Sequence, residues 1–276
     1  MKHLMIAAVS MLALGAGASN ALAQAGDDWT GAYVGGHIGY GFGRDKGGET
    51  ILFDKDLNGS FNDTINTSAG ANAFSPGFCG GSANTSLPTG GCGKDDDGVD
   101  YGIRAGYDWQ LASGMVLGVV GELSKPDVLD SVAAFSTTPA FYTMSREVDS
   151  LLALRGRAGF AVDRYLPYVT AGYARGNVDS GFSTSNTANT FVRRGDDSAD
   201  GYQLGGGVET RIGTNWSVGA EYLYTSLKDD GFRVRAQGPA PATNPFILTN
   251  ASGADFARSN DKFQIHSLRV TAAYRF

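Results

Sequence analysis

The last fourteen residues, 263–276 (FQIHSLRVTAAYRF), alternate in polarity without a turn residue and stop on an aromatic ring. His266, Leu268, Val270, Ala272, Tyr274 and Phe276 share one parity, and Ser267, Arg269, Thr271 and Arg275 the other. In a β-strand those two sets point to opposite faces. One face is oily and ends in aromatics, and the other carries guanidinium groups. Such a strand needs neighbours for its backbone and a water-free medium for its oily face.

The rest of the chain supplies the neighbours. The same alternation recurs at residues 31–43, 99–109, 115–124, 148–162, 167–175, 201–212 and 216–225. Between these runs, polar stretches of about 44–97, 125–147, 176–199 and 226–262 alternate with connections of only a few residues at 110–114, 163–166 and 213–215. Long loops at one end and short turns at the other describe an all-β fold, an eight-stranded antiparallel up-and-down transmembrane β-barrel. A soluble barrel would turn its apolar face inward, but eight strands enclose too little space for this chain's aliphatic, Trp and Tyr set. The charged residues Arg104, Glu122, Arg155, Arg157, Glu209, Glu221 and Arg269 all fall on the opposite parity. On the lipid side each would cost roughly 2–4 kcal/mol near the midplane. Several together would exceed the ordinary stability of a domain, about 5–15 kcal/mol, so a one-residue register slip is not tolerated. These seven are expected to line the lumen as a salt-bridge network that fills it.

Export is written into the first residues. Lys2 and His3 precede an apolar run, and Ala21-Leu22-Ala23 before Gln24 fits a cleavage site, so residues 1–23 read as a signal peptide and 24–276 as the mature barrel. The apolar run is shorter than the roughly 20 residues of a spanning helix. The 40 glycines have no triplet period and suit a narrow barrel, where small residues leave room for bulky neighbours. A net charge of −6 with interspersed basic residues argues against a nucleic-acid partner. Cys79 and Cys92 lie close together in a Gly/Ser/Asn-rich stretch of an exported chain, which predicts a local disulfide. In the chain-entropy model it is worth about 3 kcal/mol to that loop.

Four segments, WTGAYVGGHIGYGFG, RGRAGFAVDRYLPYVTAGYA, YQLGGGVETRIGTNWSVGAEYLYTSL and LRVTAAYRF, occur in an order that resembles the small eight-stranded porin-family (opacity-type) outer-membrane proteins of Gram-negative bacteria. The likeness covers the strands and not the loops. It implies an OmpA-like barrel in the cell outer membrane, a surface antigen in character, with haemin bound by some members. It also implies that Tyr274 and Phe276 form a C-terminal sorting signal for the barrel assembly machinery. Unlike OmpA, the chain ends at the barrel.

Parts for catalysis are few. Beyond His3 only His37 and His266 remain, and adjacent His266 and Ser267 point to opposite faces of a strand, so they form no dyad. A haemin ligand would be His or Tyr. His37 lies on the crowded lumen side, leaving His266 or a loop tyrosine such as Tyr142. The acidic runs 94–97 and 196–197 lack the twelve-residue calcium-loop spacing. The expectation is a non-enzymatic envelope protein without cofactor or metal, held by outer-membrane lipid and displaying four loops. The alternatives are a surface receptor or adhesin for a host or haemin ligand, and a narrow small-solute porin.

Overall fold

The computed structural model describes residues 28–43 and 48–276. The signal-peptide expectation for residues 1–23 lies outside the described residues. Fourteen strands follow in order: β1 (Gly31–Gly43), β2 (Ile51–Asp54), β3 (Gly77–Gly80), β4 (Gly98–Gln110), β5 (Met115–Pro126), β6 (Leu129–Ser136), β7 (Ala140–Phe160), β8 (Tyr165–Thr184), β9 (Thr190–Arg194), β10 (Ser198–Ile212), β11 (Trp216–Lys228), β12 (Arg233–Gln237), β13 (Ala254–Arg258) and β14 (Lys262–Arg275).

Eight of them, in the order β7-β5-β4-β1-β14-β11-β10-β8, pair antiparallel, and β8 returns to β7 to close the barrel. The first and last strands meet where β1 pairs with β14, Val34 opposite Tyr274 and Phe42 opposite His266. Gly114 at φ 85° and Gly213 at φ 67° occupy the left-handed region that two of the three short turns require. Inward glycines elsewhere make space: a Cβ on Gly102 would stand 2.6 Å from the His37 ring, and one on Gly118 2.1 Å from an Asp108 oxygen.

Outward residues form the apolar belt the alternation predicts. Ile103 and Val169 are each 66% exposed, and Ile38, Leu154 and Val270 nearly as much, which in water would be a large unfavourable surface. Aromatics gather at its edges: Trp216 packs on Tyr274 at 5.4 Å, Tyr274 on Phe276 at 5.2 Å and Tyr107 on Trp109 at 4.7 Å at the turn end, and Tyr202 lies near Tyr224 at the other. Above that second ring, Arg175, Asp200, Lys228 and Lys262 follow one another across registered strands and mark the upper limit of the belt. Among the described residues no helix is long and apolar enough to cross a membrane; crossing falls to the strands.

The four long connections are not the plain polar loops that composition suggests. Segment 44–97 contributes β2 and β3, 125–147 holds β6 and the start of β7, 176–199 the end of β8 and β9, and 226–262 β12 and β13. β7 and β8 run on beyond the belt, paired as far as Tyr142 and Thr184, with a bulge between Val148 and Ser150. β6 and β3 extend this sheet, and β2-β13-β12-β9 form a second one. Between them lies a core that includes Phe53, Phe74, Tyr142, Val234, Phe246 and Phe256. No single segment shows the alternation because each supplies only two to six residues to that core, and β6 (LDSVAAFS) buries residues of both parities. The segments thus form one folded head. Cys79 on β3 is joined to Cys92 as a disulfide, Cα atoms 6.3 Å apart, which closes the hairpin lying on β6.

Candidate functional site

Strand alternation sends one residue in two into the lumen, and closure brings together side chains that are far apart in sequence. Five guanidinium groups, from Arg104, Arg155, Arg157, Arg269 and Arg275, meet five carboxylates, from Asp100, Asp108, Glu122, Glu209 and Glu221, and all are buried. They sort into two layers. In the upper, Glu122 accepts from Arg269 at 2.6 Å, Arg155 at 2.8 Å and Arg104 at 3.2 Å. Arg104 also reaches Glu221 at 2.6 Å, whose other oxygen accepts from the Tyr168 hydroxyl at 2.8 Å. Arg269 Nε donates to Asp100 at 2.6 Å, and His37 Nε2 lies 3.4 Å from the same carboxylate. Arg155 extends the layer to Gln203, which donates to Thr225. In the lower layer Arg157 and Arg275 share Asp108, and Arg157 reaches Glu209 at 2.8 Å. Arg157 and Arg275 also lie over the Tyr33 ring, at 5.0 and 4.9 Å.

Apolar strata close both ends. Below the charges, Trp29 is fully buried with Val116 and Leu166; Arg275 donates to its carbonyl at 2.8 Å and stacks on its ring at 4.9 Å. Above them, Val128, Val148, Leu151, Val178, Leu227, Phe263 and Ile265 form a second plug. Arg146 caps that plug, lying over Phe263 and pairing with Asp130 and Asp229. Arg258, bound to Glu49 and Asp130, continues into the head.

All seven charged residues expected in the lumen stand there. Asp100 and Asp108 share the parity of Arg104, and Arg275 that of Arg269, so their side is legible from sequence. Their pairing is not, because it depends on strand order around the barrel. Tyr274 and Phe276 sit at the turn end on the outer face, Phe276 73% exposed and its N–H donating to Ala32 O. His266 faces outward, Nδ1 2.6 Å from the Tyr222 hydroxyl and stacked against Phe42. Tyr142 is 2% exposed with its hydroxyl accepting from Asn186. Each candidate haemin ligand is therefore already engaged within the protein.

Among the described residues, Asp54, Asp56 and Asp63 are the carboxylates close enough to share a cation, their oxygens within 4.8 Å. Composition hides them in a polar segment; the D-x-D-x-N-G spacing of residues 54–59 is the signal that singles them out, though Ile65 stands where a calcium loop has its twelfth-position Glu. Their oxygens accept the N–H groups of Lys55, Asn58 and Gly59.

In the head, burial and then the neighbouring Asp130 push the Asp95 carboxyl up to about 6, against the opposing N–H of Ser131 and charge of Arg258. The folded state therefore favours protonated Asp95. That stability is fully present below the ordinary value of 3.8 and is lost as pH rises through about 6. Asp95→Asn is expected to raise head stability at pH 7 by up to about 1 kcal/mol, solvent screening considered. It should also flatten the pH dependence of limited proteolysis near the disulfide hairpin between pH 4 and 6; an unchanged profile counts against this role.

A model of the outer membrane protein beta-barrel domain matches residues 10–276. The chain is similar to the 31 kDa outer-membrane immunogenic protein of Brucella melitensis biotype 1, at 29% identity over 249 residues, 90% of this chain and 84% of that protein. It is also similar to the 22 kDa outer membrane protein of Rhizobium leguminosarum bv. viciae, at 26% identity over 155 residues, 56% of this chain and 65% of that one. Among solved structures, OprG from Pseudomonas aeruginosa aligns with 91% of this chain and 99% of its own, at 10% identity and a TM-score of 0.45.

Proposed function

Because the chain belongs to the outer membrane protein beta-barrel family and is an outer-membrane protein, we propose that it is a non-enzymatic, plugged barrel that serves envelope structure and displays its folded head at the cell surface. The observation that carries this reading is the closed lumen. Asp100, Asp108 and Gln203 are fully inaccessible to water, Arg155 is 1% exposed, and apolar strata lie above and below them. A conducting pore needs a wet path through that layer. Planar-bilayer recordings of the folded monomer are expected to show no stable conductance; a steady open level would favour the narrow small-solute porin instead.

With the turn end in the periplasm, the head faces outward, as in barrels with short periplasmic turns and long external loops. This supports surface display and leaves a receptor or adhesin role for the head as the second reading. Haemin binding draws no support from His266 or Tyr142, both of which already have partners. Phe276 is proposed as the residue the barrel assembly machinery reads, since its ring is exposed while its backbone is tied to β1. Deleting Phe276 is expected to lower the yield of heat-modifiable protein in the outer membrane several-fold while the purified chain still refolds in detergent. A normal cellular yield would remove that role.

A further inference from the structure

Where the head meets the barrel, strand register sets like charges against each other twice. On β11 and β14, Lys228 stands directly opposite Lys262. Their neighbours Leu227 and Phe263 are buried in the upper plug, so both ammonium groups point outward. On β12 and β9, Arg233 stands directly opposite Arg194. Val234 and Ala236 belong to the head core, so both guanidinium groups lie on the outer face of that sheet. Residues 229–232 alone separate Lys228 from Arg233, which keeps the two pairs within about 18 Å of each other along the chain. Gly231 in that link packs against Gly195, the residue after Arg194, with no room for a Cβ.

Like charges directly opposite on neighbouring strands cost stability, and in a chain of net charge −6 they need a reason. The protein does not neutralise them. Of the nearby carboxylates Asp196, Asp230 and Asp261, Asp230 alone makes a contact among the described residues, with Lys228 at 2.6 Å. Both side chains of that pair are more than half exposed, and such a pair contributes little in water. Lys262, Arg194 and Arg233 form no ion pair among the described residues. Arg233 lies instead over the Phe61 ring at 4.5 Å, which orients its guanidinium plane.

The place of these pairs limits what can answer them. Tyr173, Tyr202 and Tyr224 ring the head end of the apolar belt, the level at which such rings meet lipid headgroups. Lys228 and Lys262 stand above that ring, and the arginine pair follows at the base of the head. Basic groups held against a membrane surface attract anionic lipids. A phosphate offers three acceptor oxygens and up to two negative charges, enough to serve both members of a pair, and an Arg can grip it through two parallel N–H groups. We propose that the base of the head binds the headgroup of a bis-phosphorylated membrane lipid, one phosphate between Lys228 and Lys262 and the other between Arg194 and Arg233. This rests on the surface-display reading for placing the head among outer-leaflet lipids, and it does not depend on the state of the lumen.

The test uses the full mature chain folded in a neutral detergent, with heat-modifiable mobility as the folding control. Native mass spectrometry follows retention of bis-phosphorylated lipid A, its monophosphorylated form and phosphatidylcholine, with inorganic phosphate as competitor. The bis-phosphorylated lipid is expected to be held about tenfold more tightly than the other two, as loss of one charged anchor predicts. Lys262→Gln and Arg233→Gln, both on the outer surface, should each weaken it about three- to tenfold, and Arg164→Gln at the turn end should leave it unchanged. Equal retention of the three lipids overturns the proposal. So does retention that survives the Lys262→Gln, Arg233→Gln double variant, or complete displacement by inorganic phosphate, which would mark a site for the free anion. A protein that retains the lipid as expected but conducts steadily would overturn the plugged reading alone.

Discussion

Glu122→Leu is expected to destabilise the barrel by about 3–5 kcal/mol, the range for removing one partner of a buried ion pair. Glu122 is the acceptor shared by Arg104, Arg155 and Arg269, so its loss leaves three guanidinium groups facing one another without their common carboxylate. Against a typical 5–15 kcal/mol of total stability that loss is a third or more. Urea titration of the barrel in lipid vesicles, followed by tryptophan fluorescence, measures it. Replacing Arg155 by Leu in the same chain removes part of the excess charge and should recover part of the loss. A single-variant change below about 1 kcal/mol would mean that the lumen accommodates unpaired guanidinium groups, with water among them, and the plugged reading would fall with it.

Phe256→Ala should cost a similar amount, about 3–5 kcal/mol, but in a different place. Phe256 is fully buried between the two sheets of the head, with ring contacts to Phe53, Phe74, Tyr142, Phe182, Phe191 and Phe246. The head is expected to become protease-sensitive at neutral pH while heat-modifiable mobility of the barrel persists. Loss of both together would show that head and barrel unfold as one unit. That outcome would trace to Arg146 and Arg258, which link the lumen to the head through Asp130.

The two variants probe parts of the molecule that were unequally legible. Every barrel strand was readable because lipid outside and crowding inside impose opposite chemistry on alternate residues: Leu152 and Leu154 against Arg155 and Arg157, or Val270 against Arg269. The inward set followed from the same parity. The partners of that set did not. Arg269 meets Asp100 across 169 residues and Glu122 across 147, distances over which no local pattern operates. The head was hidden for another reason. Its core is assembled from short pieces such as Ile51–Asp54 and Ala254–Arg258, each too brief to show a period, embedded in Gly, Asn and Ser that look like loop.

Alternation with a period of two, read against the cost of a charge in lipid, was enough by itself to determine eight strands, their two faces, their register sense and a membrane location. Tertiary structure alone decided which guanidinium answers which carboxylate, that Trp29 closes the lower mouth, and that four polar stretches become a folded head. The physical reason is the range of the forces. Parity is set residue by residue by the surrounding medium, whereas closure and packing join groups that the chain itself keeps far apart.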